Sequence, residues 1–180
     1  MRIYGNRALK TLPGSLTRPT AAKVRTALFN IWRGVEGSSW LDICAGSGSM
    51  GAEALGRGAT VVIGIEQSGK ACRIVQENWQ KIAKTEQEFQ VLRGDCVRLL
   101  QTWTGPRFDW IYFDPPYASG LYLPVLQAIA TQGILKSTGA LAVEHDPKQW
   151  QGRSVEGLVL DRQKQYGNTM ISFYRWEKEE

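Results

Sequence analysis

The sequence predicts an α/β protein built on a doubly wound, mostly parallel β-sheet. Short apolar runs alternate with helix-like segments along most of the chain, and this alternation is typical of a parallel sheet with helices on both faces. The last two runs instead alternate apolar and polar residues on either side of Gly167 and Asn168. That pattern predicts an antiparallel C-terminal hairpin at one edge of the sheet.

The predicted strands of the core are residues 40–43, 61–66, 89–92, 108–113 and 139–144, and the hairpin is formed by residues 155–164 and 169–176. The helix-like segments between the strands are residues 49–57, 68–83, 95–102 and 120–132. One more helix is predicted from Thr20 onward, because apolar residues recur there at helical spacing, namely Val24, Ala27, Leu28, Ile31 and Trp32.

The length of 180 residues fits one domain spanning 1–180. Within it we expect a basic N-terminal segment and helix (1–35), a ligand-binding α/β core (38–146) and the hairpin (153–177). Hydrophobic residues make up 43% of the chain and charged residues 22%, so the signature of disorder is absent. The apolar runs are too short for a transmembrane helix, and the N-terminus lacks a signal peptide's apolar centre, so we expect a cytoplasmic protein and no membrane partner.

Cysteine and histidine usage argues against metal and disulfide chemistry. Cys44, Cys72 and Cys96 are widely spaced without a C-x-x-C motif, and His145 is the single histidine. We therefore expect no structural disulfide and no bound metal. His145 follows the fifth predicted strand, where a hydrogen-bonded structural role is favoured over that of a catalytic base.

The net charge of +5 is concentrated at the N-terminus. Residues 1–35 contain seven basic side chains and no acid, whereas the remainder has 15 basic against 17 acidic residues. This distribution predicts either a local patch that binds a polyanion or a solvated basic helix face, and charge alone does not separate the two.

Ligand-binding residues are expected directly after the strands, since parallel strands bring their carboxyl ends to one edge. A G-x-G-x-x-G sequence, Gly46 to Gly51, lies between the first predicted strand and helix, which favours a nucleotide-like cofactor over a merely tight turn. Glu66, about twenty residues further on, is placed to accept hydrogen bonds from ribose hydroxyls. Asp95 follows the third strand and could contact an adenine amino group, cap the next helix, or do both.

The most informative stretch is Asp114-Pro115-Pro116-Tyr117 after the fourth strand. The prolines fix φ and remove backbone donors, leaving the Asp114 carboxylate and the Pro115 carbonyl as acceptors beside the flat ring of Tyr117. This arrangement suits an amino group on a planar ring better than it suits hydride transfer. The alternative interpretation is a rigid turn.

These motifs together resemble a class I S-adenosylmethionine-dependent methyltransferase with a Rossmann-like sheet, in the branch that methylates amino groups. The segments 18–31, 41–51, 114–117 and 164–167 further resemble the RsmD-type family of bacterial 16S ribosomal RNA guanine-N2 methyltransferases. The resemblance implies methyl transfer from S-adenosylmethionine to the N2 amine of one guanine in small-subunit ribosomal RNA, naked or in an assembling subunit. We expect a monomer.

Three sets of site residues are expected, of which the resemblance implies the first two, while the third rests largely on the basic charge of the N-terminal segment. The catalytic set that holds the guanine is Asp114, Pro115, Pro116 and Tyr117. The cofactor-binding set, in which Asp42 lies near the ammonium and Gly46–Gly51 hold the methionine part, is Thr20, Asp42, Ala45, Gly46, Ser47, Gly48, Gly51, Glu66, Gln67, Asp95, Cys96 and Asp114. The RNA-binding set is Arg7, Lys10, Arg18, Lys23, Arg25, Lys164 and Tyr166.

One departure from the family is Cys44, where an aromatic residue is common. Three rival functions stay open at this point. They are methylation of adenine N6 in DNA or RNA, a nicotinamide-dependent oxidoreductase built on the same glycine loop, and a nonenzymatic RNA-binding module.

Overall fold

The computed structural model describes residues 1–12 and 19–177. In chain order its helices and strands are β1 (Arg2–Ile3), β2 (Arg7–Ala8), α1 (Pro19–Ile31), β3 (Ser39–Ile43), α2 (Ser49–Gly56), β4 (Val61–Glu66), α3 (Gly69–Ile82), β5 (Glu88–Arg93), α4 (Cys96–Gln101), β6 (Phe108–Phe113), α5 (Tyr122–Thr131), β7 (Leu135–His145), β8 (Leu158–Tyr166) and β9 (Thr169–Trp176).

Seven strands form one sheet in the order β5-β4-β3-β6-β7-β9-β8. The strands from β5 to β7 are parallel, whereas β9 runs antiparallel to β7 and β8 antiparallel to β9. The chain order reverses beside β3, since β4 lies on one side of it and β6 on the other. The predicted doubly wound sheet and the antiparallel C-terminal edge are therefore confirmed.

Both faces of the sheet are covered, as a run of buried strands requires. Along β3, Trp40 packs with residues of α1, α2 and α3, whereas Leu41 and Ile43 pack with residues of α4 and α5. Successive side chains of a strand point to opposite faces, and here each face meets a helical layer. The central strands can thus be apolar on both sides.

Two element boundaries differ from the prediction by three residues or more. Strand β7 begins at Leu135 rather than at residue 139, because Leu135 pairs with Phe108 before a register shift in β6. Strand β8 begins at Leu158 rather than at residue 155. Val155 and Leu158 instead bridge a tight turn in which Gly157 adopts a φ of 82°.

The N-terminal segment contains a small antiparallel pair, β1 with β2, which the sequence analysis did not predict. The contacts that attach this pair to the rest of the protein correct one predicted RNA contact. Arg25 is only 6% exposed, its Nη2 donates to the carbonyl of Arg2 at 2.6 Å, and its Nε lies 3.3 Å from a carboxylate oxygen of Glu53. Arg25 therefore anchors the N-terminus to α2 and does not present its charge to RNA.

Candidate active site

A cleft of about 1130 Å³ opens at the carboxyl ends of the parallel strands. It lies where the strand order reverses, between the loops after β3, β4 and β5 and those after β6 and β7, which is the usual ligand position in open α/β sheets. The predicted site residues that line it are Gly46, Ser47, Glu66, Gln67, Asp95, Cys96, Asp114, Pro115, Pro116 and Tyr117.

Other predicted residues lie elsewhere. The cleft wall does not include Asp42, Ala45, Gly48 or Gly51; they belong to β3, to the loop after it and to the start of α2. Arg18 lies outside the described residues, and the side chain of Thr20 is likewise not described.

Asp42 acts on the loop from inside the protein. Its Oδ2 accepts a hydrogen bond from the backbone N–H of Gly51 at 3.0 Å, in the first turn of α2. Burial raises the pKa of Asp42 to about 7, against the lowering effect of the Gly51 hydrogen bond, and the charge of Glu66 raises it further. The Asp42 carboxyl group thus anchors the first turn of α2, which directly follows the first two glycines of the loop.

Glu66 fixes the shape of the loop from the cleft side. Its Oε2 accepts from the backbone N–H of Gly46 at 2.9 Å and its Oε1 from that of Ser68 at 2.8 Å. A carboxylate offers about four acceptor positions, so these bonds orient Glu66 while it still has capacity to accept from a ligand's hydroxyl groups.

The thiols of Cys44 and Cys96 meet beneath the cleft. A hydrogen bond between the two side chains, together with burial, raises the pKa of Cys44. Cys44 also has a φ of 63°, in the left-handed region that costs a residue with a side chain roughly 1–2 kcal/mol. The departure from the family pattern thus falls at a strained backbone position at the floor of the cleft.

Asp95 has the capping role that the sequence suggested. Its Oδ1 accepts from the backbone N–H of Arg98 at 2.9 Å at the start of α4, and the residue also lines the cleft. The cap holds the carboxylate at this strand end, so the two predicted roles are compatible.

The opposite wall carries the proline motif. The backbone N–H of Asp114 donates to the carbonyl of Ile43 at 3.3 Å, Pro115 is buried and Pro116 is exposed. The hydroxyl of Tyr117 lies 3.3 Å from Thr169 Oγ1 and donates to Glu144 Oε1 at 3.5 Å. These contacts fix the orientation of the Tyr117 ring beside Asp114.

Glu144 is the main site residue that the sequence analysis missed. It is 6% exposed, lines the cleft, and accepts hydrogen bonds from Tyr112 and Tyr117. Burial, followed by the charge of Glu144, raises the pKa of Tyr112 well above 10, so Tyr112 stays a neutral donor. The position of Glu144 at the end of a predicted strand was the signal that could have found it.

His145 has the structural role that was favoured. Its Nε2 lies 2.7 Å from Ser172 Oγ, it is fully buried, and burial lowers its pKa. It is not among the residues that line the cleft.

The remaining predicted RNA contacts differ in their surroundings. Arg7, Lys10, Lys23 and Lys164 are exposed, and Tyr166 is partly buried. Lys10 forms an ion pair with Glu77, so its charge is partly balanced by α3. The Lys10 backbone also exchanges hydrogen bonds with buried Asn78, whose Nδ2 donates to the carbonyl of Ser47 in the cleft wall.

Two findings concern what the described residues do not contain. Within 1–12 and 19–177, no helix is long and apolar enough to cross a membrane. The same residues contain no cluster of three or more side chains suited to hold a metal ion.

The fold and the cleft define a methyltransferase of the S-adenosylmethionine-dependent class. The chain belongs to the family described as "Conserved hypothetical protein 95", whose model matches residues 1–175. This result confirms the predicted RsmD-type resemblance.

Individual relatives agree with this assignment. The chain is 35% identical to "Putative rRNA methyltransferase YlbH" of Bacillus subtilis, over 94% of this chain and 93% of the relative. It is 28% identical to "Ribosomal RNA small subunit methyltransferase D" of Haemophilus influenzae, over 82% and 81% respectively. The solved structure "Putative methyltransferase yhhF from Escherichia coli" superposes with a TM-score of 0.84 at 26% identity, over 99% of both chains.

Proposed function

We propose that this protein transfers the methyl group of S-adenosylmethionine to the N2 amine of a guanine in small-subunit (16S) ribosomal RNA. The observation that carries the proposal is one cleft with Glu66 and the glycine loop on one side and the Asp114 to Tyr117 motif on the other. The names of the bacterial relatives support ribosomal RNA as the substrate.

The residues of the cleft fit the methyl donor. The side chains lining it include the carboxyl groups of Glu66, Asp95, Asp114, Glu144 and Asp146, and no lysine or arginine among the described residues. Such a lining attracts a ligand with a sulfonium and an ammonium charge. Gly46 has a φ of 57° and no atom within 4 Å of the position of a Cβ, so ligand atoms can approach its backbone closely.

When bound, S-adenosylmethionine supplies a methyl group already activated by its positive sulfur. The protein therefore contributes position and orientation, which can be worth ~7–11 kcal/mol in favourable cases. Asp114 and the Pro115 carbonyl accept hydrogen bonds from the target amine and favour a pyramidal nitrogen whose lone pair points at the methyl group. The ring of Tyr117, held through its hydroxyl, supports the face of the base.

The rest of the RNA would be contacted by exposed basic side chains. Arg7, Lys10 and Lys23 of the N-terminal segment and Lys164 of β8 are exposed and suited to phosphate contacts. Tyr166 is the last residue of β8, and Gly167 and Asn168, which follow it, line the cleft. We propose a single methyltransferase domain that acts as a cytoplasmic monomer on ribosomal RNA or on an assembling small subunit.

The test is transfer of labelled methyl groups from S-adenosylmethionine to ribosomal RNA prepared from a strain that lacks this protein. Nuclease digestion and mass spectrometry then identify the modified nucleoside. We expect N2-methylguanosine in the small-subunit RNA. Recovery of N6-methyladenosine would establish the adenine rival, and tight NADH binding without methyl transfer would establish the oxidoreductase. RNA binding without methyl transfer and without NADH binding would indicate a nonenzymatic RNA-binding module.

A further inference from the structure

Glu144 and Asp114 are neighbours at the ends of adjacent strands. Phe113 of β6 pairs with Val143 of β7, so Asp114 and Glu144 follow at equivalent positions and both line the cleft. The proline motif thus has a second carboxylate beside it. The sequence motif alone does not distinguish guanine from adenine, because both bases carry an exocyclic amine.

The contacts of Glu144 orient its carboxylate within the cleft wall. Tyr112 donates to Oε2 from inside the protein and Tyr117 donates to Oε1 from the motif. Two hydroxyl donors suit an ionised carboxylate, and a carboxylate has about four acceptor positions. Accepting both hydroxyls is therefore compatible with accepting one further N–H from a base.

The two purines differ in what they present beside the amine. Guanine has the N1–H donor next to its N2 amine, whereas adenine has the N1 lone pair next to its N6 amine. Acceptors placed side by side can take one hydrogen each from the guanine edge. The same pair would set a carboxylate against the N1 lone pair of adenine, which is unfavourable.

We infer that Glu144 accepts the N1–H of the target guanine and is the residue that selects guanine over adenine. This inference rests on the proposed function and assigns the base recognition within the same site. Asp114 and Pro115 hold the amine that reacts, and Glu144 reads the neighbouring ring nitrogen.

The experiment uses a synthetic RNA fragment carrying either guanine or 2-aminopurine at the methylated position. The analogue 2-aminopurine keeps the 2-amine but has a lone pair at N1 and lacks O6. We expect the wild-type protein to prefer guanine, and the Glu144→Gln variant to reduce that preference in kcat/KM by about tenfold or more. The effect of the missing O6 is common to both proteins and cancels in this comparison.

Two further variants separate base recognition from the support of Tyr117. Thr169→Val removes a partner of the Tyr117 hydroxyl and should lower turnover on both RNAs without changing their ratio. Glu144→Asp keeps the charge and should retain a preference for guanine. Thermal unfolding of each variant shows whether it is folded.

The outcomes of the two proposals are distinguishable. If Glu144→Gln lowers activity equally on both RNAs while the wild-type protein methylates guanine, Glu144 only positions Tyr117, and the inference is overturned while the proposed function stands. If the wild-type protein methylates no guanine, both proposals are overturned.

Discussion

The indole nitrogen of Trp79 donates a hydrogen bond to the carbonyl oxygen of Gly48 at 2.7 Å. Trp79 is fully buried beneath the glycine loop. A Cβ on Gly51 would lie 2.2 Å from the Trp79 ring, and one on Gly48 would lie 2.7 Å from its nitrogen. Two glycines of the G-x-G-x-x-G sequence therefore accommodate an aromatic ring of α3 inside the protein, while Gly46 faces the cleft.

The first prediction concerns this packing. Gly51→Ala should lower the free energy of unfolding by about 1–3 kcal/mol, since the added methyl group overlaps a fully buried ring that a hydrogen bond to Gly48 holds in place. Urea denaturation measures the loss. In the Trp79→Phe background, whose smaller ring leaves space, the same substitution should cost less. Equal costs in both backgrounds would contradict the proposed contact.

The second prediction is a pH dependence of stability due to Asp42. Its pKa of about 7 in the folded protein is above its ordinary value of 3.8, so the folded state binds the extra proton between these values. Stability is then lost as the pH rises toward 7, at up to about 1.4 kcal/mol per pH unit. Asp42→Asn does not titrate and can still accept from Gly51.

Urea denaturation of both proteins between about pH 5 and about pH 8 measures this effect. Asp42→Asn should gain stability relative to the wild-type protein as the pH rises. Parallel pH curves for the two proteins would show that Asp42 titrates normally.

The third prediction separates chemistry from cofactor binding. Asp114→Ala should nearly abolish methyl transfer and leave the affinity for S-adenosylhomocysteine within a few fold, because its carboxylate acts mainly on the target amine. Single-turnover assays and isothermal titration calorimetry measure the two quantities. Methyl transfer near the wild-type rate would remove Asp114 from the catalytic role.

The fourth prediction concerns Glu66. Glu66→Ala should weaken both S-adenosylmethionine and S-adenosylhomocysteine by roughly 1.5–3 kcal/mol, the range for losing hydrogen bonds to a charged group. Both ligands contain the ribose that Glu66 is proposed to hold. Glu88→Ala, the same change at an exposed position outside the cleft wall, serves as the matched control. If the affinities of the Glu66→Ala variant were unchanged, Glu66 would not contact the ribose and would only accept the hydrogen bonds from Gly46 and Ser68.

The fifth prediction addresses RNA binding. Replacing Arg7, Lys10 and Lys23 together with Gln should weaken RNA binding and lower the slope of log affinity against log salt, by up to ~0.7–0.9 for each phosphate that the variant no longer neutralises. The base that is methylated should stay the same, since phosphate contacts position the substrate. Filter binding across a salt series measures the slope.

Two controls accompany this triple variant. The Arg7 and Lys10 double variant leaves Lys23 in place and separates RNA binding from any effect of α1 on the cofactor. Arg25→Gln should instead lower stability, because it breaks the buried pair with Glu53. An unchanged salt slope in the triple variant would identify the N-terminal segment as a solvated face and favour Arg162, Lys164 and Tyr166 as the RNA-binding residues.

The sequence by itself determined the class of the fold and ten of the residues that line the cleft. Apolar runs alternating with helical segments specify a parallel sheet, and parallel strands bring their carboxyl ends to one edge. Residues directly after strands, such as Glu66, Asp95 and Asp114, were therefore predictable as neighbours although they are far apart in the chain. All three line the same cleft.

Only the tertiary structure decided which charges are available and which side chains support the site. Arg25 and Lys10 have no acidic neighbour in the sequence, yet Glu53 and Glu77 pair with them across long stretches of chain. Likewise, the position of the Trp79 ring explains why residue 51 is a glycine, and the hydroxyls of Tyr112 and Tyr117 donate hydrogen bonds to Glu144. Local patterns specify helices and strands, whereas burial and pairing depend on which distant residues the folded chain brings into contact.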